Sequence, residues 1–123
     1  MRRFARSCAA LATLAALIAS GDSRAHAVLV DSSPRNGAAV RPAPPYVPLR
    51  FNVRIEQSLA RATLQSAGGA PRALTPQPGA AGHAEQVLIP LPALGAGEYE
   101  LRYRVLATDG HTTFGALRFR VLP

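Results

Sequence analysis

The sequence YELRYRV at residues 99–105 decides the fold class of this 123-residue chain, because its apolar and polar residues alternate without a break. Alternation with a period of two places Tyr99, Leu101, Tyr103 and Val105 on one face of an extended strand and the charged residues on the other. A strand of this kind has one face in a core and one in water. The stretch therefore predicts a half-buried β-strand.

Apolar stretches separated by Pro and Gly recur along the chain, which is typical of an antiparallel β-domain. No helical window of useful length is present. Further strands are predicted at 27–30, 49–55, 60–66, 86–91 and 114–122, the last with Leu117, Phe119 and Val121 inward. About seven short strands predict one all-β domain, an immunoglobulin-like Greek-key sandwich or barrel.

Two segments are predicted to lie outside the central strands. Residues 41–48 carry four prolines, so we expect neither a helix nor a central strand there. Residues 68–82 are rich in Gly, Pro and Ala and are predicted to form a long irregular loop.

The first residues are predicted to be a secretory signal. Arg2, Arg3 and Arg6 precede an apolar run over residues 8–19, and small residues follow it. The run is shorter than the ~20 apolar residues of a permanent membrane helix. An uncleaved anchor is the alternative.

Two cleavage positions satisfy the small-residue rule of signal peptidases. A cut after Ser23-Arg24-Ala25 leaves His26 as the first residue, whereas a cut after Ala25-His26-Ala27 leaves Val28 first. The position rule alone does not separate them.

The composition excludes several classes of function. The single cysteine, Cys8, leaves with the signal, which excludes disulfides, thiolate metal sites and cysteine nucleophiles. The chain without residues 1–25 has ten arginines and six acidic residues, a formal charge of +4. These arginines are spread along the strands rather than clustered, and the whole chain has seven aromatic residues, so nucleic-acid binding is not expected. Mild attraction to anionic membrane surfaces is left open.

The triplet Asp109-Gly110-His111 is a candidate metal-binding feature between the last two predicted strands. Side chains at i and i+2 of extended backbone share a face, so Asp109 and His111 can converge on one ion. An ordinary solvated hairpin turn is the alternative.

His26 contributes to such a site only as a first residue. A free α-amine and the imidazole Nδ1 then chelate a metal together, and an amine pKa of about 7.7–8.0 lets the metal displace its proton at neutral pH. With Asp109 and His111 the donors are rich in nitrogen, which favours Cu(II). Zinc has no thiolate here to favour it. A terminus without a ligand role is the alternative.

The sequence resembles the CopC family of periplasmic copper-resistance proteins over residues 26–121. HAVLVDSSPRNG at 26–37 is similar to the family's His-led strand and S-x-P-x-x-G turn. Residues 97–115 are similar to its G-x-Y…W-x-V-x-S-x-D-G-H…G signature, with Tyr103 in place of Trp. The resemblance implies a seven-stranded barrel-like sandwich and a Cu(II) site of His26 (amine and ring), Asp109 and His111. It also implies cleavage before His26, so that residues 1–25 are the signal and residues 26–123 the copper-binding domain.

Two departures from the family pattern are visible. The chain after residue 25 has no Met, and residues 66–86 carry a lone His83, so we expect no Cu(I) site and interpret His83 as a loop histidine. The family often has Glu after the residues that match Phe51-Asn52, where this chain has Val53. The groups that orient the ligands are therefore expected to differ.

The resulting interpretation is a binding protein and not an enzyme. It implies that the chain holds Cu(II) in the periplasm, for buffering or for delivery to a CopD-type inner-membrane importer, without stable membrane insertion after cleavage. A copper mono-oxygenase is one alternative, but it needs a flat aromatic surface, and the chain has no Trp. A metal-free immunoglobulin-like adhesion or assembly module is the other, and is expected if the chain begins at Val28.

Overall fold

The computed structural model describes residues 26–123, and the signal predicted over residues 1–25 lies outside the described residues. Within that range the chain forms nine strands and one short 3₁₀ turn, Gln57–Leu59. The strands are β1 (Leu29–Ser32), β2 (Ala38–Val40), β3 (Tyr46–Phe51), β4 (Arg61–Ser66), β5 (Arg72–Leu74), β6 (Gln77–Pro78), β7 (Gln86–Pro90), β8 (Gly97–Leu106) and β9 (Thr112–Val121).

These strands form the two sheets of a β-sandwich, which confirms the predicted all-β, immunoglobulin-like fold. One sheet has the order β1-β3-β7-β6 and is antiparallel throughout. The other has the order β2-β9-β8-β4-β5, and its single parallel pair is β2 with β9. In the described part of the chain, no helix is long and apolar enough to cross a membrane.

The core lies between the sheets and takes alternate residues from each. In β8, Leu101, Tyr103 and Val105 are buried as predicted, while Tyr99 is only half-buried and stacks on Phe119. The inward residues predicted for β9 are buried as well. The largest fully buried side chains come from both sheets: Val47, Leu49, Phe51, Val87, Ile89, Leu101, Val105 and Leu117. Each stabilises the fold by about 1.5–3 kcal/mol through apolar burial.

The prediction that residues 41–48 contain no central strand is wrong at its end, because β3 begins at Tyr46 and lies between β1 and β7. The reason is the direction of the backbone at Pro48. Alternate residues of β3 direct their nitrogens to opposite neighbours, and the Asn52 N–H, four residues on, points to Val28 on the β1 side. Pro48 therefore faces the β1 side, where β1 has already ended opposite Leu49. The missing N–H is not needed there.

Other elements also differ from the sequence prediction. β1 is at Leu29–Ser32 where 27–30 was predicted, and β9 begins at Thr112 where 114 was predicted. The strand predicted to reach residue 55 ends at Phe51, and Ile55 makes only an isolated bridge to Ala107. The predicted loop at 68–82 contains the short strands β5 and β6. β2 was not predicted, because three residues give little periodicity and its parallel partner β9 lies far along the chain.

Candidate metal centre

His26 lies at the start of the described chain, and the residues after it fix its position. Ala27 is buried in the core, with 2% of its surface exposed. The Val28 N–H donates to Oδ1 of Asn52 at 2.8 Å, and the Asn52 N–H donates to the Val28 carbonyl at 3.0 Å. An apolar anchor and a two-way hydrogen-bonded pair therefore hold the segment that carries His26.

Asp109 and His111 lie in the tight turn that connects β8 to β9. The Ala107 N–H donates to the His111 carbonyl and the Gly110 N–H to the Ala107 carbonyl, each at 2.9 Å. Gly110 has a φ of 96°, a conformation that glycine adopts without strain. The turn therefore favours glycine between the two candidate ligands.

The Asp109 carboxylate is oriented by its neighbour. Its Oδ1 accepts a hydrogen bond from the His111 N–H at 3.0 Å and lies 3.2 Å from Nδ1 of the His111 ring. The backbone N–H of His111 is the main cause that lowers the pKa of the Asp109 carboxyl, and the His111 side chain and the charge on His26 lower it further. The Asp109 carboxyl is therefore ionised at neutral pH.

The fold brings all three predicted site residues to one end of the sandwich. The ring centroids of His26 and His111 are 5.5 Å apart, with the ring planes at 72°. Asp109 lies beside His111. His26 enters from the four-stranded sheet and the other two residues from the five-stranded sheet, so sheet packing alone makes them neighbours.

These side chains are near one another, yet they do not surround a common point. Within residues 26–123, no group of three or more His, Cys, Asp or Glu side chains is spaced to hold a metal ion. The His111 Nδ1 is directed at Asp109, and in the full-length chain the His26 nitrogen is a peptide nitrogen that follows Ala25. The side chains of His111 and Asp109 are 49% and 45% exposed, so they can rotate without disturbing the core.

The third histidine, His83, lies in the loop before β7, as predicted. Its side chain is 59% exposed, and its Nδ1 lies 3.1 Å from Oε1 of Glu85. His83 thus makes the same kind of local contact to a carboxylate as His111 makes to Asp109.

Asn52 is the residue beside the candidate centre whose contact the sequence did not indicate. The alternation at 49–55 places it outward, but nothing in the sequence shows that its partner is Val28, 24 residues earlier. Val53, which stands where the related family often has Glu, is half-buried and packs against the core instead of offering a polar group.

The chain matches the model of the CopC domain family over residues 29–122. Among solved structures, it is similar to CopC from Methylosinus trichosporium OB3b, with 30% identity and a TM-score of 0.72 over 80% of this chain and 95% of that one. It is also similar to PcoC from Escherichia coli, described as a methionine-rich copper-resistance protein, with 29% identity and a TM-score of 0.64 over 79% and 99% of the two chains. No curated protein matches the chain.

Proposed function

This chain belongs to the CopC family, and we propose that it binds copper, as Cu(II), at a mononuclear site formed by His26, Asp109 and His111. In this proposal His26 supplies its α-amine and its ring after the signal is removed. Asp109 supplies an oxygen and His111 a second imidazole. Three nitrogens and one oxygen in a tetragonal arrangement are a donor set that Cu(II) prefers.

The observation that carries the proposal is the 5.5 Å separation of the His26 and His111 rings, with an anionic Asp109 beside them. The packing of the two sheets brings these imidazoles together at an exposed end of the sandwich, where neither ring is part of the core. Their approach supports one ion shared by two nitrogen donors, because half-exposed side chains can rotate toward it without disturbing the core.

The oxidation state follows from the donors that the chain offers. Cu(I) prefers thioether and thiolate sulfur, whereas Cu(II) prefers imidazole, amine and carboxylate. Residues 26–123 contain neither Met nor Cys. The chain thus differs from PcoC, whose description calls it methionine-rich, and we propose a single Cu(II) site without a Cu(I) site.

Carriage is the role that this site fits. Four protein donors fill the tetragonal positions around Cu(II) and leave little room for a substrate. We propose that the exported protein holds Cu(II) in the periplasm for copper tolerance, as a buffer or as a donor to a CopD-type membrane importer. The signal over residues 1–25 and cleavage before His26 are parts of the same proposal.

The test begins with the protein purified after export, because the site needs a free His26 amine. Mass spectrometry should give His26 as the first residue, and titration with Cu(II) should give a type 2 EPR signal that saturates at one ion per chain. A processed chain that begins at Val28 would contradict the proposal. So would a chain that begins at His26 but gives no type 2 EPR signal with Cu(II). The apo protein should be folded, because the core does not involve the site.

A further inference from the structure

The outward side of the five-stranded sheet collects five of the ten arginines of residues 26–123, where the sequence suggested an even spread. Strands β4, β8 and β9 lie side by side, and their outward positions carry these five residues. We call this surface the basic face; its arginines are Arg61, Arg102, Arg104, Arg118 and Arg120.

Ion pairs divide the basic face into two parts. Glu100 accepts hydrogen bonds from Arg102 and from Arg118, the latter at 2.8 Å, and Glu98 lies 3.7 Å from Arg120. These are the two acidic residues of the face, and both are in the half of β8 nearest Gly97. That half is close to neutral.

The other half combines unpaired cations with an exposed aromatic ring. Arg61, Arg104 and Phe114 lie in one row across the sheet, since Arg61 pairs in register with Arg104 and Arg104 with Phe114. Within residues 26–123, neither Arg61 nor Arg104 makes an ion pair. Arg61 donates from Nη1 to the carbonyls of Ser58 and Ala60, so its charge has no acidic partner although one of its nitrogens is hydrogen-bonded. Phe114 is 75% exposed beside a shallow groove of about 180 Å³. A single exposed apolar residue is common, but here an exposed phenylalanine lies in one row with two arginines that have no acidic partner.

We propose that this half of the basic face docks on an anionic lipid surface. Phe114 would enter the boundary between headgroups and acyl chains, while Arg61 and Arg104 would bond lipid phosphates. The whole domain assists, because its formal charge after residue 25 is +4. The proposal goes beyond copper binding and does not depend on it.

The shape of the face favours a membrane over a protein partner. Specific protein interfaces bury about 800 Å² on each side and centre on several apolar anchors in pockets. Here Phe114 is the one large apolar side chain of its row, and the next row of the sheet has none, since it consists of Thr63, Arg102 and Ala116. A basic surface with one highly exposed aromatic ring suits an anionic lipid layer, which can deform around the ring.

Docking in this way would leave the candidate metal centre close to the membrane. Phe114 follows His111 by three residues, or about 10 Å of extended chain at ~3.3 Å per residue. The centre would thus face the narrow space beside the lipid surface while Phe114 is inserted.

The test uses the exported, processed protein without copper and sedimentation with lipid vesicles. We expect it to bind vesicles of phosphatidylcholine mixed with phosphatidylglycerol, to ignore phosphatidylcholine alone, and to be released by salt. Phe114→Ala should weaken partitioning roughly ten-fold, and Arg104→Gln about five-fold.

Matched controls lie on the four-stranded sheet. Tyr46→Ala removes an aromatic side chain that is 43% exposed, and Arg50→Gln removes an exposed arginine. Both should bind vesicles like the unsubstituted protein. Absence of binding to anionic vesicles, or equal losses in the controls, would overturn the proposal. So would binding of a polyglutamate peptide, but not of vesicles, that depends on Phe114 and Arg104, because that points to an acidic protein partner. Cu(II) affinity should be unchanged in Phe114→Ala, so a failure here leaves the copper proposal standing.

Discussion

Asn52 and Val28 bind each other in both directions: the Val28 N–H donates to Oδ1 of Asn52 at 2.8 Å, and the Asn52 N–H donates to the Val28 carbonyl at 3.0 Å. The pair joins the residue after β3 to the residue before β1. It lies two residues from His26, so it fixes where the proposed first ligand enters the site.

The first prediction is that Asn52→Ala weakens Cu(II) binding by about ten-fold, the low end of the range found when a group that orients a ligand is lost. Stability should fall by at most about 1 kcal/mol, because one hydrogen bond of an exposed side chain is removed. Competitive Cu(II) titration and urea unfolding measure the two effects.

Two further variants serve as controls for the Asn52 prediction. Asn52→Asp retains an oxygen acceptor and should bind Cu(II) nearly as well as the unsubstituted protein. Asn36→Ala removes the same kind of bond elsewhere, since Asn36 Oδ1 accepts from the Arg118 N–H at 2.8 Å. Equal losses of Cu(II) affinity in Asn36→Ala and Asn52→Ala would show that Asn52 has no special relation to the site.

The second prediction separates the two internal histidines. His111→Ala should lower Cu(II) affinity by roughly 100-fold or more, because it removes a ligand rather than an orienting group. His83→Ala should have little effect. The two residues are well matched, since each has its Nδ1 within 3.2 Å of a carboxylate two residues away. Similar losses in both variants, measured by EPR-monitored titration, would mean that the loop histidine also binds copper.

The third prediction concerns Gly115, which lies directly opposite Tyr103 in the β8–β9 pair. A Cβ on Gly115 would overlap the Tyr103 ring. That ring packs edge-on against Phe51, with the two ring centroids 5.7 Å apart. Gly115→Ala should therefore lower the free energy of unfolding by about 1–3 kcal/mol, the usual cost of overpacking a core. Thermal or denaturant unfolding measures it.

The matched control for Gly115 is Gly95→Ala, because a Cβ there meets nothing within 4 Å. That variant should be neutral or slightly more stable. In a Tyr103→Leu background the cost of Gly115→Ala should shrink, which a double-mutant cycle detects. An undiminished cost in that background would place the strain somewhere other than the Tyr103 ring.

The fourth prediction is a pH dependence carried by Glu100. Hydrogen bonds from Arg102, and then from Arg118, hold the pKa of the Glu100 carboxyl below its ordinary value of 4.5. A group whose pKa is lower in the folded state stabilises the protein above the unfolded pKa, and this contribution is lost as the pH falls through the folded pKa. Glu100→Gln should thus be less stable than the unsubstituted protein at pH 7, and the two should converge in acid.

Glu98→Gln is the comparison for Glu100, since Glu98 is 70% exposed and lies 3.7 Å from its arginine. Surface pairs of that kind contribute little, so this variant should track the unsubstituted protein across the pH range. A Glu100→Gln difference that stays constant down to pH 2 would contradict the ion-pair explanation.

Features that depend on local periodicity could be predicted from the sequence. The inward residues of β8 and β9 follow from alternation alone, and the Asp109–His111 turn follows from its position between those strands. What depends on distant pairing could not be predicted. β2 is a strand because β9 lies beside it, and Pro48 fits a central strand because β1 stops one residue short of it.

The candidate site divides in the same way. Asp109 and His111 are two residues apart, so their proximity could be read from spacing, but a turn at Gly110 brings them together and not the extended backbone that was expected. The approach of His26 to His111 depends on the packing of one sheet on the other, which no local pattern contains, and the sequence indicated it only through family resemblance. The bond between Asn52 and Val28 had no signal beyond an outward polar residue.

The origin of the proposed ligands in two different sheets has a mechanical consequence. β1 is an edge strand with β3 as its single neighbour, whereas the β8–β9 turn belongs to the longest hairpin of the described chain. An ion held by both would be a removable cross-link between the sheets. Its departure would leave β1 held by β3 and the buried Ala27, an edge more open to fraying and to proteases than in the loaded protein. Another protein could therefore distinguish the copper-loaded chain from the copper-free chain by whether the β1 edge is fixed or mobile.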